Sequence, residues 1–475
     1  MSTFVARPRP VVTRRYRYSK IRWRVLVTLL DLLGSVLMTL WKCLRRAPVV
    51  VSPRRILVAQ LDHMGDAVLS SPLFPRLRAA YPNARIEVLA SPSNLAVFLA
   101  DPHVDQVILA ERSWFERVPG RWAMLPAVWE LGWSLRSRRY DLGIDVRGDV
   151  LTVLVLALAG IPRRAGWAMG GGSFLLSDVA PWIPGRHEVL SRLALLEQLG
   201  LRQEESPRVV VYPTDEDRLS VSRRLADAWP ESIPRRRGHA PARRSLERIR
   251  PRSGQGRLSP PRSSRAASLS EARREVAARR LERGQSWEWD DPDWLHAGRF
   301  GEDAPLLVAH VGAGTLAKRW PRRHWHTLLS WLLRDGWRVV VVGGPEDADA
   351  VVGLPVHHQL RDWTSGLALT ETAALLERAD LFVGADSGPA HLAACAGVPS
   401  VVLFSGTNQA RQWRPWSRRS LVIRHKVSCR PCHQKVCPLA DHPCMSGLTP
   451  DRVYRALRRW WARLDPLGVH HGSGF

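Results

Sequence analysis

The chain has 475 residues, of which 45 % are hydrophobic and 24 % charged, and a formal net charge of +26. That length accommodates two domains, each burying a core of its own. Most of the excess charge sits in two stretches, +10 over residues 1–50 and +9 over residues 231–290. The remainder carries no basic stripe interleaved with aromatics, so no nucleic-acid partner is expected.

Residues 1–50 read as a basic N-terminal segment. Arg14, Arg15, Arg17, Lys20, Arg22 and Arg24 precede the mostly apolar run Val25 to Trp41, and Lys42, Arg45 and Arg46 close it. The run is short for a spanning helix and contains Asp31. Thr28, Asp31, Ser35 and Thr39 recur at helical spacing and form one polar stripe. An amphipathic helix lying in the plane of an anionic membrane surface is expected, with residues 14–46 as the contact. A helix docked on the protein's own surface is the alternative, and a cleaved signal peptide fits less well because no small-residue cleavage site follows.

From residue 54 the pattern turns α/β. Ile56 to Gln60 is an apolar strand, Gly65-Asp66 a turn, Ala67 to Tyr81 a helix, and Ile86 to Leu89 a second strand, which makes a βαβ unit. Strands are also expected at Val107 to Leu109 and Leu142 to Val146, so residues 54–212 form a parallel-sheet domain. Residues 213–305 interrupt the pattern as a linker. Within it, 231–285 is dense in Arg, Ser, Pro and Gly with few large apolar residues, a composition of disordered chain.

Regular structure resumes at Leu306 to His310, followed by a Gly-rich loop, a Trp-rich helix and the strand Val339 to Val342. A helix at Leu369 to Arg378, a strand at 381–384, a helix at 389–396 and the strand Val398 to Phe404 complete a second domain over residues 306–465. Two such domains place a ligand cleft between the C-terminal ends of their sheets.

Four loops at those strand ends carry the polar groups. Asp66, beside Gly65, is either a general base or a helix N-cap. The loop from His310 to Pro321 has glycines for close backbone approach, Thr315, and Lys318 to neutralise phosphate. It matches neither a P-loop nor a dinucleotide fingerprint. Glu346, after Gly343-Gly344-Pro345, is placed to hold ribose hydroxyls or to cap a helix. Asp386-Ser387-Gly388-Pro389-Ala390-His391 follows a buried strand and opens a helix whose free N–H groups and dipole favour a diphosphate.

Taken in order, these loops resemble glycosyltransferase family 9, the bacterial ADP-heptose:lipopolysaccharide heptosyltransferases. The resemblance covers Met64 to Leu69, Tyr140 to Asp145, Arg164-Ala165-Gly166, Lys318 to Pro321 with Trp325, Gly343 to Glu346, and Asp386 to His391. It implies a GT-B fold of two facing Rossmann-like domains, the first binding the acceptor and the second the nucleotide sugar. It further implies metal-independent inverting transfer with no cofactor, to a lipopolysaccharide-type or other lipid-linked glycan, on the inner face of the cytoplasmic membrane. By matching position, Asp66 resembles the catalytic base, Lys318 the phosphate-neutralising lysine, and Glu346 the ribose ligand. Asp386, Ser387, Gly388 and His391, with Thr315, are similar to the remaining donor-binding set.

Gln60 stands where the family commonly has Arg, and Ser405-Gly406 replaces Gly-Pro, so a non-catalytic nucleotide-sugar-binding or scaffold protein is the second reading. Cys429, Cys432, Cys437 and Cys444 cluster near the end, where structural metal, redox pairing and free thiols all remain open.

Overall fold

Apart from the edge run Val107 to Leu109, the short apolar runs read as strands are buried on both faces, as a parallel sheet covered by helices requires. A computed structural model describes residues 21–44, 52–111, 124–201, 207–230 and 304–464. Its first sheet comprises β1 (Arg55–Gln60), β2 (Arg85–Ala90), β3 (Gln106–Leu109), β4 (Leu142–Asp145), β5 (Arg163–Trp167) and β6 (Asp178–Ala180). All pair in parallel, in the order β3-β2-β1-β4-β5-β6. The second comprises β7 (Leu306–His310), β8 (Arg338–Val342), β9 (Leu360–Asp362), β10 (Leu381–Ala385), β11 (Ser400–Phe404) and β12 (Ser420–Arg424). Its order, β12-β11-β10-β7-β8-β9, is again parallel throughout and repeats the first topology. Both sheets therefore have the Rossmann order, with switch points at β1/β4 and β7/β10.

The helices that matter for the site are α1 (Ile21–Leu44), α2 (Met64–Ser70), α3 (Leu73–Ala80), α4 (Leu125–Ser134), α5 (Val150–Leu158), α6 (Glu188–Gln198), α7 (Asp215–Ala228), α8 (Arg322–Arg334), α9 (Leu369–Arg378), α10 (Gly388–Cys395) and α11 (Ala410–Trp413). The single helix expected over Ala67 to Tyr81 is two, α2 and α3. Pro72 lacks the N–H that would extend the hydrogen-bond ladder, so the first helix stops and a new one begins. In the second half, Trp320, Trp325 and Trp337 are buried with Leu328, Leu329 and Leu332 of α8. At about 1.5–3 kcal/mol for each large apolar side chain, this cluster is a main source of that half's stability.

The stretch 213–305 is not a bare linker. It opens with α7, whose N-terminus is fixed by a capping box: Thr214 Oγ1 accepts from Asp217 N, and Asp217 accepts from Thr214 N. Arg218 pairs with Glu377 at 2.8 Å and Ser220 donates to Glu371, tying α7 to α9. At the far side of the insertion, Arg338 Nε donates to Ala304 O at 2.9 Å, and the same guanidinium lies 5.5 Å from the Trp229 ring. Arg361 stacks on that ring at 5.1 Å and donates to Ala228 O. The expectation for 231–285 lies outside the described residues.

Helix α1 is present, and Asp31 has a specific use. It is buried, with Oδ1 accepting from Gly172 N at 2.8 Å and Oδ2 accepting from Ser173 Oγ at 3.0 Å. A Cβ on Gly34 would lie 2.6 Å from the Phe174 ring, so only glycine lets the helix seat there. The polar stripe thus turns Asp31 toward the protein. Val25, Leu29, Leu30, Leu32, Leu33, Val36, Leu37 and Leu40 are left exposed. Among the described residues no helix is long and apolar enough to cross a membrane.

Candidate active site

Each switch point delivers one of the expected loops. The chain leaves β1 at Gln60 and enters α2 through Asp62-His63, which puts Asp66 in the first turn of α2. His63, not Asp66, occupies the N-cap, so the capping alternative does not hold. The chain leaves β10 at Ala385 and enters α10 at Gly388, with Ser387 as N-cap and Pro389 in the first turn. These two helix starts abut. The Met64 side chain packs against Gly388, and His391 Cδ2 lies close over Gly65, so both first turns face one crevice.

On the first-sheet side, Asp66 Oδ1 accepts from Arg192 Nη2 at 2.8 Å. Its other carboxylate oxygen has no partner among the described residues. Arg192, on α6, is 3 % exposed at its side chain, and its Nη1 donates to Glu188 Oε2 at 2.6 Å. Glu188 Oε1 in turn accepts from Gln412 Nε2 of α11 at 2.6 Å. A second bond crosses at the same place. His187 Nδ1 accepts from Val189 N, so Nε2 carries the proton and donates to Arg414 O at 2.8 Å. Burial pushes the His187 imidazole down to about 4, which keeps it in that neutral form.

The second-sheet side is a cluster of paired polar groups. Lys318 Nζ lies 2.9 Å from Asp386 Oδ2 and donates to Asp386 O at 3.0 Å. Asn408 donates to the same carboxylate at 3.3 Å. His310 bridges Asp347 Oδ2 at 3.0 Å and Ser387 Oγ at 2.9 Å. In the tautomer that donates Nε2–H to Asp347, Nδ1 accepts the Ser387 hydroxyl and fixes the head of α10. Burial raises the Asp347 carboxyl, but the His310 bond and charge, the Gly344 N–H and Arg319 outweigh it and hold Asp347 below the usual range.

His391 stands between the two sides. Burial pushes its imidazole down to about 4 against the opposing pull of Asp386 and Asp66, and its Nδ1 is buried with no hydrogen-bond partner. Thr315 Oγ1 is likewise buried and unpartnered. Glu346 is exposed at the end of β8, its carboxylate folded over Gly344. A neutral donor-acceptor such as His391, an open hydroxyl and a lysine beside a helix N-terminus are the fittings of a site for a polar, phosphate-bearing ligand.

Sequence reasoning did not find Arg192, Glu188, Gln412, His310, Asp347 or Asn408. The i, i+4 pair of Glu188 and Arg192 looks like a solvated helix face, and only the apolar density around it hinted at burial. The loop bearing the cysteines flanks the site: Cys432 N donates to Gly406 O, His433 N to Thr407 O, and His442 Nε2 lies 3.0 Å from Ala317 O. Among the described residues no three His, Cys, Asp or Glu side chains converge on a point that could hold a metal ion.

A model of glycosyltransferase family 9 (heptosyltransferase) matches residues 259–442. Lipopolysaccharide heptosyltransferase 2 of Escherichia coli strain K12 is 24 % identical over 410 residues, spanning 85 % of this chain and 97 % of that protein. Both likenesses are to glycosyltransferase family 9. Lipooligosaccharide heptosyltransferase 2 of Campylobacter jejuni serotype O:2 is 43 % identical over 75 residues, covering 16 % of this chain and 23 % of that protein. Among solved structures, E. coli ADP-heptose lps heptosyltransferase II aligns with a TM-score of 0.58 at 21 % identity, covering 86 % of this chain and 99 % of that one. A family 9 glycosyltransferase from Veillonella parvula aligns with a TM-score of 0.60 at 18 % identity over 87 % and 99 %. The architecture is GT-B, and this chain is a glycosyltransferase. That sets aside the scaffold reading.

Proposed function

We propose that this glycosyltransferase moves a heptose from ADP-heptose to a lipopolysaccharide-type, lipid-linked acceptor, with inversion and without a metal ion. The observation that carries the reading is the meeting of two helix starts at the crevice, one bearing Asp66 and the other the Asp386 to His391 loop beside Lys318. The E. coli relatives are lipopolysaccharide heptosyltransferases, which supports the sugar and the acceptor class.

A single displacement with inversion needs a base on the acceptor side and charge compensation on the leaving-group side. Asp66 supplies the first: its free carboxylate oxygen takes the proton from the acceptor hydroxyl as that oxygen attacks the anomeric carbon. Lys318 and the N–H groups at the head of α10 supply the second, acting on the negative charge that grows on the departing diphosphate. Asp386 engages Lys318 and holds it in place until the diphosphate shares it. Thr315 and His391 offer unpartnered polar atoms to the diphosphate and the sugar, and Glu346 reaches the ribose.

The first half takes the acceptor and the second the donor. Helix α1, docked through Asp31, presents its apolar face to the inner leaflet of the cytoplasmic membrane, while the basic residues within 14–46 meet anionic headgroups. Incubation with a panel of nucleotide sugars, followed for nucleoside diphosphate release with and without lipid acceptor, tests the donor. Asp66→Ala is expected to abolish transfer and keep donor binding, and wild-type turnover in that variant overturns the assignment of the base.

A further inference from the structure

A carboxylate base is useful only if its free oxygen points at the acceptor, and Asp66 sits on a short helix at the mouth of the crevice, where its rotamer is not dictated by packing. Arg192 supplies the missing constraint. Its guanidinium is buried and planar, and it is gripped at both ends, by Asp66 Oδ1 at 2.8 Å and by Glu188 Oε2 at 2.6 Å. Two N–H donors set at a fixed angle on one planar group, one to each carboxylate, fix direction in a way that a lysine ammonium, a point charge on a flexible stem, does not. Arg192 Nε has no hydrogen-bond partner, so the guanidinium is held by those two carboxylates alone.

The far end of the chain of bonds lies in the other half of the molecule. Glu188 Oε1 is held by Gln412 Nε2 at 2.6 Å, on α11, which follows β11 of the second sheet. His187, the residue before Glu188, donates to Arg414 O across the same boundary. Glu188 therefore has one oxygen committed to each half.

We propose that Arg192 is a positioning residue for the base, and that Glu188 and Gln412 make its aim depend on the two halves being together. When the halves part, Gln412 leaves Glu188, that carboxylate is freed to turn, and Arg192 no longer holds Asp66 in one orientation. When they close over the donor, the four-residue chain re-forms and the base is aimed. Proton removal is thereby coupled to the arrangement in which donor and acceptor are both enclosed. The proposal rests on Asp66 being the base.

The test uses the full chain with ADP-heptose and acceptor, and reads kcat, donor KM and melting temperature together. Arg192→Lys keeps the charge and loses the fork. It is expected to lower kcat about 10²-fold, the effect of small misplacement of a reacting group, with donor KM within about twofold. Arg192→Ala is expected to regain activity on addition of guanidinium, which a structural role would not produce. Gln412→Ala, at a half-buried position outside the crevice, is expected to lower kcat about tenfold at a temperature where the variant is fully folded. In an Asp66→Ala background neither change is expected to lower activity further.

Wild-type kcat in Gln412→Ala and Arg192→Lys, with Asp66→Ala inactive, overturns the positioning chain and leaves the base assignment standing. An active Asp66→Ala overturns the base assignment itself. Should Arg192→Lys fail to fold, Gln412→Ala decides alone.

Discussion

His391 allows a quantitative test of the crevice. Its folded-state pKa is lowered to about 4 from 6.5, first by burial. Between those values the unfolded chain takes up a proton that the folded chain refuses, so the stability is full above about pH 6.5 and is lost as pH falls toward 4. The difference corresponds to about 3 kcal/mol over the whole window, of which about 2 kcal/mol is gone at pH 5. The perturbation is His391→Gln, a polar side chain of similar reach that does not titrate. Urea unfolding followed by tryptophan fluorescence at pH 7.5, 6, 5 and 4.5 should show wild type losing about 2 kcal/mol more than the variant by pH 5. His187, also pushed down to about 4, is present in both proteins, and because burial is the largest cause of its shift most of its contribution cancels. Any fixed cost of the substitution cancels too, because only the change with pH is compared. Parallel pH curves for the two proteins refute the view that His391 is held neutral between Asp66 and Asp386.

Two further outcomes follow from named contacts. Lys318→Met removes the cation at 2.9 Å from Asp386 and is expected to cut kcat/KM by about 10²–10³-fold, the usual loss when one group stabilising developing charge is removed. Steady-state kinetics on correctly folded protein read this directly, and a loss below tenfold speaks against leaving-group stabilisation by this lysine. Asp31→Leu removes both hydrogen bonds to residues 172 and 173, worth about 1.5–3 kcal/mol for a charged acceptor, and should speed amide exchange across that loop while sparing sedimentation with anionic vesicles. Unchanged exchange means that the docked position of α1 does not depend on Asp31.

The central strands of both sheets were legible because each is a near-continuous apolar run bounded by turn residues. β5, β6, β9 and β12 were not. β5 begins with two arginines, β6 and β9 are three residues each, and β12 is an edge strand, so none offers a periodic signal. Asp66, Lys318, Glu346 and Asp386 were legible as polar residues just after strand ends, Asp66 in the first turn of α2. Those that hold them were not, because Arg192, Glu188 and Gln412 are far apart in sequence or disguised as a surface helix pair. His310 lay inside a run read as strand core. Only the folded chain shows that its ring joins Asp347 to Ser387.

One contact on the outer side of the second sheet has a consequence for how this chain can vary. Trp229 and Ala304 both touch Arg338, so the residues on either side of 231–303 meet at a single arginine. The free-energy cost of closing a loop rises by only about 0.6 kcal/mol per doubling of its length. With both feet on one half, a change in that length neither stretches nor slackens the connection between the two sheets. The alignment on which transfer depends is set by the residues on either side of that stretch, and that arginine acts as the clasp.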